Sequence, residues 1–174
     1  MRRILTVALL SAASIMVAAQ PPSDSTAVDR AAMQKLSFLA GSWSGPATIV
    51  RGPGEPIHLT QSEKVEYKLG GLVLLIEGKS TGQDGSVPFE ALATVAYDDA
   101  SRSYRIRAYN AGHYVDTELT VQGDGFSWGF AAGPAQVLNT MHLTPSHEWQ
   151  ETSEVTLGSN PPRRTVDMLL TARH

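Results

Sequence analysis

The chain contains no cysteine. Disulfides, thiolate metal centres, a cysteine nucleophile, covalently attached c-type haem and a lipid-modified N-terminal cysteine are all excluded by that one absence. Charge of either sign is scarce: 14 Lys and Arg stand against 17 Asp and Glu, a net charge of −3. There is no basic footprint for nucleic acid, so no nucleic-acid partner is expected. No Gly-x-Ser-x-Gly elbow, phosphate loop or dinucleotide fingerprint occurs. No His-x-His spacing offers a metal ligand pair, and no metal site or cofactor is expected. Gly (15) and Pro (10) are too few for a low-complexity chain, and 42% hydrophobic residues is a globular value. The 174 residues fit one domain.

The N-terminus reads as an export signal. Arg2 and Arg3 precede an apolar stretch from Ile4 to Ala19, which Ser11 and Ser14 interrupt. Val17-Ala18-Ala19 then places small residues ahead of Gln20. Positive start, apolar run and small-residue exit are the three parts of a secretory signal peptide, with cleavage expected after Ala19. The run is short for a membrane span of about 20 residues, so no stable membrane anchor is expected after processing. Processing would leave 12 basic and 17 acidic residues, a net charge of −5. A secreted or periplasmic location follows as the expectation. Residues 20–28 read as a flexible Pro/Ser linker, and 29–174 as a single folded domain.

Within that domain the hydrophobic period changes once. Ala32, Leu36 and Leu39 recur at helical spacing, predicting a helix from about Ala27 to Leu39 that ends at Gly41. Beyond it lie ten strand candidates, near 43–51, 56–68, 72–81, 88–97, 103–109, 113–122, 125–131, 135–143, 147–157 and 163–173. Gly, Pro, Asn, Asp and Ser separate them. Alternation assigns faces: Arg105 and Arg107 share one, Asp116 and Glu118 another, and Phe126, Trp128 and Phe130 a third. The run Leu72 to Ile76 is apolar on both parities and is expected to be covered on both sides. Many short antiparallel strands escape exposed edges by closing, so the fold class is all-β, an antiparallel barrel of about ten strands with a short N-terminal helix over one end. A β-sandwich remains the alternative.

The segment Leu36 to Gly45, with Gly41-Ser42-Trp43, resembles the opening of calycin-like barrels of the lipocalin and nitrobindin type. Gly70-Gly71-Leu72 through Glu77-Gly78, Tyr97-Asp98 followed by Ser103-Tyr104, and Trp149-Gln150-Glu151 resemble motifs of the secreted bacterial DUF1579-like family. The resemblance runs from about residue 33 to 172. It implies a calycin-like barrel whose floor is closed by the Trp43 ring, and it implies no settled activity. Nitrobindins hold haem through a His near their C-terminal strands. Here His142 and His147 flank a turn and His174 is the last residue, so that ligand does not carry over.

The candidate ligand-binding residues are Glu77, Arg107, Trp128, Met141, Trp149 and Glu151. They enter on the expectation of a hollow interior with aromatic walls and an internal Arg–Glu pair able to anchor a polar head. The opposite parity, with both arginines in solvent, is the ordinary outcome for charged residues. His113 shares a face with Val115 and Thr117 and so cannot form a dyad with Asp116 or Glu118. The expected function is a binding module for a small apolar or amphipathic molecule held in the barrel. The alternatives are an acid/base isomerase or hydrolase built on the Arg–Glu pair, or a cavity-free interaction protein. A homodimer stays open.

Overall fold

The computed structural model describes residues 25–173. The expected signal peptide, most of the expected linker and His174 lie outside the described residues.

Short turns set the strand boundaries. Asn110 pairs with His113 across a two-residue loop, Ala111-Gly112, with φ of 48° and 80°. Two positive φ values match the twist of a tight hairpin, as in a type I′ turn. Asp98 accepts hydrogen bonds from the Ala100 amide (3.1 Å) and the Ser101 hydroxyl (2.7 Å), fixing the next reversal. Ten strands result: β1 (Gly41–Ile49), β2 (Ile57–Lys68), β3 (Val73–Thr81), β4 (Phe89–Asp98), β5 (Ser103–Asn110), β6 (His113–Val121), β7 (Gly125–Ala132), β8 (Ala135–Leu143), β9 (Trp149–Leu157) and β10 (Arg163–Arg173). Each pairs antiparallel with its sequence neighbours, and β1 also pairs with β10. The sheet is therefore a closed ten-stranded meander barrel, and the sandwich alternative falls.

The expected single helix is two pieces. An α-helix, α1 (Ser25–Met33), tightens into a 3-10 turn, Gln34–Leu39. Residues 25–28, read as linker, are thus helical. Met33, Leu36 and Leu39 are at most 1% exposed, and each such burial stabilises by roughly 1.5–3 kcal/mol. Together they plug one end of the barrel. The barrel wall reaches the plug through hydrogen bonds: the Tyr104 hydroxyl donates to the Ala32 carbonyl (2.8 Å) and the Tyr67 hydroxyl to that of Met33 (2.7 Å). Trp43 donates from Nε1 to the Leu39 carbonyl (2.8 Å) and meets Trp149 edge-on at 5.7 Å. This is the floor position implied by the resemblance.

Inward positions near the plug are filled by Val65, Leu74, Val95, Ile106, Leu119, Phe126, Met141 and Leu170, which form one core. The double cover expected for Leu72 to Ile76 is corrected. Leu74 and Ile76 point inward, whereas Val73 and Leu75 lie half-buried on the outer surface. No second layer packs there among the described residues; a lone barrel wall has only one dry side.

Ala111 is a Cβ-bearing residue in left-handed backbone, a conformation that costs about 1 kcal/mol relative to residues that tolerate it. Ala111→Asn is expected to stabilise the hairpin by about that amount. Thermal unfolding should show a midpoint raised by about 2–4 °C.

Candidate functional site

Away from the plug, the inward side chains shrink. Ala91 and Ala93 on β4, Ala108 on β5, Ala47 on β1 and Gly78 on β3 all face the axis. Ala93 and Ala108 are direct cross-strand partners. Ten strands enclose more space than residues this small can fill. The result is a cavity of about 460 Å³. Its walls are mainly apolar, with Ile76, Phe126, Trp128, Phe130, Val137 and Met168 among them. Phe89, Tyr109, His113 and Tyr114 stand where it opens at the end opposite the plug.

The wall is also loose at one seam. The β6–β7 pairing covers only Leu119–Val121 against Phe126–Trp128. Beyond it, the Thr117 hydroxyl reaches the Gly129 carbonyl (3.0 Å), where a backbone donor would ordinarily serve. The freed halves of β6 and β7 carry His113, Tyr114 and Phe130, all of which border the cavity.

Two carboxyl groups face this apolar space. Glu63 on β2 is 8% exposed. Its Oε1 accepts from Gln61 Nε2 (2.6 Å), and Gln61 Oε1 in turn accepts from the Ser80 hydroxyl. Strand parity explains the relay: Gln61 lies opposite Ser80, and Glu63 opposite Gly78. A Cβ at residue 78 would sit 2.8 Å from Glu63 Oε1, so glycine there clears room for the carboxyl. Glu151 on β9 accepts from Trp149 Nε1 at 2.9 Å, two residues back along one face. It touches the cavity but is otherwise enclosed by protein. Burial pushes Glu63 up to about 8, with the nearby Glu151 charge adding to the shift and the Gln61 bond opposing it. Burial likewise pushes Glu151 up to about 7, against the Trp149 bond.

The six residues named from the sequence separate cleanly. Trp128, Trp149 and Glu151 line the cavity. Met141 is inward but lies in the packed core, 1% exposed. Glu77 and Arg107 are corrected: both face outward. Glu77 pairs across the sheet with Lys64 on the exposed face of β2. Arg107 binds Asp116 through Nε at 2.9 Å, Arg105 binds the same carboxylate, and the Arg107 guanidinium lies 5.8 Å from the Tyr114 ring centre. The two arginines hold Asp116 below its usual range. A guanidinium keeps its charge, and solvent plus an acidic neighbour accommodates that charge more cheaply than the cavity would. The internal Arg–Glu pair therefore does not exist.

Sequence reasoning missed Glu63 and Gln61. Their signal was present. Thr60 and Ser62 read as a solvent face, which assigns the alternate residues Leu59, Gln61, Glu63 and Val65 to the interior.

The described histidines do not suit a haem of the nitrobindin kind. His58 bonds Thr48 at the surface (3.3 Å), His142 is exposed on β8, His147 sits in a turn, and His113 stands exposed at the mouth. None is buried behind the cavity wall. Among the described residues no three His, Asp or Glu converge as a metal site.

No family model matches the chain, and no curated protein matches it. Among solved structures it is similar to the crystal structure of Rv2717c from M. tuberculosis, with a TM-score of 0.62 and 14% identity. The match covers 82% of this chain and 98% of that one. At that identity the likeness establishes the barrel fold alone.

The carboxyl pair makes stability fall with rising pH. An unfolded Glu titrates near 4.3. The folded protein keeps these protons up to about 7 and 8, so it binds more protons than the unfolded chain in between. Their stabilising contribution is complete below the unfolded value and is lost as pH climbs through the folded values. The double substitution Glu63→Gln, Glu151→Gln is expected to flatten the stability profile between pH 5 and 8. It should leave the variant more stable than the parent at pH 8 by at least about 1 kcal/mol, measured by urea unfolding at both pH values.

Proposed function

We propose that this protein is an exported binding module that holds a small, largely apolar molecule with one polar group inside the barrel. The observation that carries this reading is the cavity itself. About 460 Å³ of mostly apolar space, open at one end and holding a few convergent polar groups, is the common form of a small-molecule site. Trp128 and Trp149 supply aromatic wall, and Glu151 with Glu63 supplies the polar end. Export, and membership of the DUF1579-like family, belong to the same proposal and rest on residues 1–19 and on the motifs between 33 and 172. The motif residues have physical work in the barrel: Trp43 and Tyr104 tie down the plug, and Trp149 orients Glu151.

The enzyme alternative has lost the arginine of its Arg–Glu pair and Glu77, and keeps Glu151, an interior carboxyl held above its usual range. The cavity-free alternative expected bulky inward residues, and Ala47, Gly78, Ala93 and Ala108 are small.

Protein purified without detergent should carry or take up apolar molecules in native mass spectrometry. Ala108→Phe, which drives a ring into the cavity, should abolish uptake while circular dichroism shows the same sheet content. Arg107→Ala, on the outer face, should leave uptake within about twofold of the parent, since an exposed ion pair contributes little. Only bare polypeptide from the parent, or undiminished uptake by Ala108→Phe, would sink the reading.

A further inference from the structure

Which polar group the cavity accepts can be read from its charges. The titratable side chains facing it are Glu63 on β2, His113 on β6 and Glu151 on β9, while Tyr109 and Tyr114, on the outer parity with Arg107 and Asp116, reach only its rim. β1, β3, β4, β7, β8 and β10 contribute none, and no Lys or Arg lines it. His113, Tyr109 and Tyr114 stand at the open end, where they are exposed. The interior proper therefore holds two acids and no base.

Each acid is held by one oxygen and free at the other. Gln61 fixes Oε1 of Glu63 and Trp149 fixes Oε2 of Glu151. Glu63 Oε2 and Glu151 Oε1 have no hydrogen-bond partner among the described residues, yet neither is sealed in protein, because the only fully buried unpartnered side-chain oxygen among them is on Asp29. The free oxygens thus border the cavity. The neutral relay from Ser80 through Gln61 ends on Glu63 and brings no positive charge.

We propose, building on the binding reading above, that the barrel selects molecules bearing a protonated amine at the end of an apolar body, the ammonium lying between Glu63 and Glu151. An anionic head would find no Lys or Arg to offset its charge, only the proton that an un-ionised carboxyl can share, and would hold both acids in the form that cannot balance it. An ammonium can donate hydrogen bonds to a free carboxyl oxygen, and its charge favours ionisation of the acid it touches. Trp128 and Phe130, stacked at 5.6 Å, add aromatic faces that attract cations. Because Glu63 and Glu151 are held up to about 8 and about 7, the empty site carries a proton shared between them near neutral pH, and ionising them against an ammonium releases it to solution.

The test uses the full chain and three probes with one hydrocarbon body: 4-phenylbutylamine, 4-phenylbutanol and 4-phenylbutyrate. Calorimetric titration in two buffers of different ionisation heat reads both affinity and proton release. The amine is expected to bind about tenfold tighter than the alcohol at pH 7.5, with the carboxylate weakest, and to release roughly one proton. Its affinity should rise between pH 5 and 8 while that of the alcohol stays flat. Glu63→Gln and Glu151→Gln should each shrink the amine preference and the proton release, and His142→Gln, exposed on β8 away from the cavity, should change neither. Equal or tighter binding of the alcohol or the carboxylate overturns the amine inference and leaves the cavity reading standing. A pH dependence that disappears in His113→Gln also overturns it, by placing the charge at the mouth. Failure of all three probes to bind overturns both.

Discussion

The closed sheet is possible only because one of its ends is made dry. A ten-stranded cylinder has no hydrogen-bonding edge, but it has two open ends, and apolar side chains at an open end would face water. The segment from Ser25 to Leu39 solves this at one end by inserting Met33, Leu36 and Leu39. A buried helix end leaves carbonyls without partners, which is costly in an apolar setting. Tyr67, Tyr104 and Trp43 reach three of those carbonyls from the barrel wall. The plug is thereby positioned in rotation and depth rather than merely adhering. Trp43 passes that positioning on to Trp149, and Trp149 in turn donates to Glu151. A continuous chain of contacts thus connects the helix end to a carboxyl in the cavity.

The same wall serves two opposite purposes because residue size changes along the strands. On β4, Val95 packs into the core near the plug, while Ala93, Ala91 and Phe89 succeed it toward the mouth. On β5 the sequence runs from Ile106 to Ala108. Each such step from a branched side chain to Ala forgoes apolar burial worth on the order of 1 kcal/mol or more. The packed half must supply the stability that the hollow half gives up. The two internal acids add to that burden at high pH, when both would be charged without a counter-ion. Function and stability therefore oppose each other within a few residues of Glu63 and Glu151.

Architecture was legible because a closed meander needs only local information. Strand alternation, turn residues and the single helical stripe place every element within about three residues of its observed bounds. Closure itself followed from the number of strands and the lack of any device to protect an edge. Parity was legible where one face stood out: Phe126, Trp128 and Phe130 read onto a single face of β7, and all three border the cavity. The site was half legible. Glu151 and the two tryptophans were found, but Arg107 was drawn inward by the appeal of an Arg–Glu pair when its own neighbours contradict it. Ile106 must face the core, and that alone turns Arg105 and Arg107 to solvent. The break in helix geometry at Gln34 and the loosened β6–β7 seam had no local signature, because both arise from how distant segments meet.

Glu63 shows why buried acids escape a reading built on residue type. On a strand otherwise bearing Lys64, Glu66 and Lys68, one more acid looks like part of a solvated ladder. Lys64 and Lys68 do flank Glu66 on the outer face, where their ion pairs hold its carboxyl down at about 2. Glu63 is one position out of phase, and the pleat turns it to the opposite side. Two glutamates three residues apart are thus shifted in opposite directions, one by burial and one by its lysines, through environment alone. What distinguishes them in the sequence is not their own identity but what lies across the sheet. Leu75 stands opposite Glu66, and Gly78 opposite Glu63. The glycine, by withholding a Cβ, leaves free the space that the second glutamate's carboxyl occupies. A small residue opposite an acid on an inward parity is therefore the signal to seek when a barrel sequence hides its polar interior.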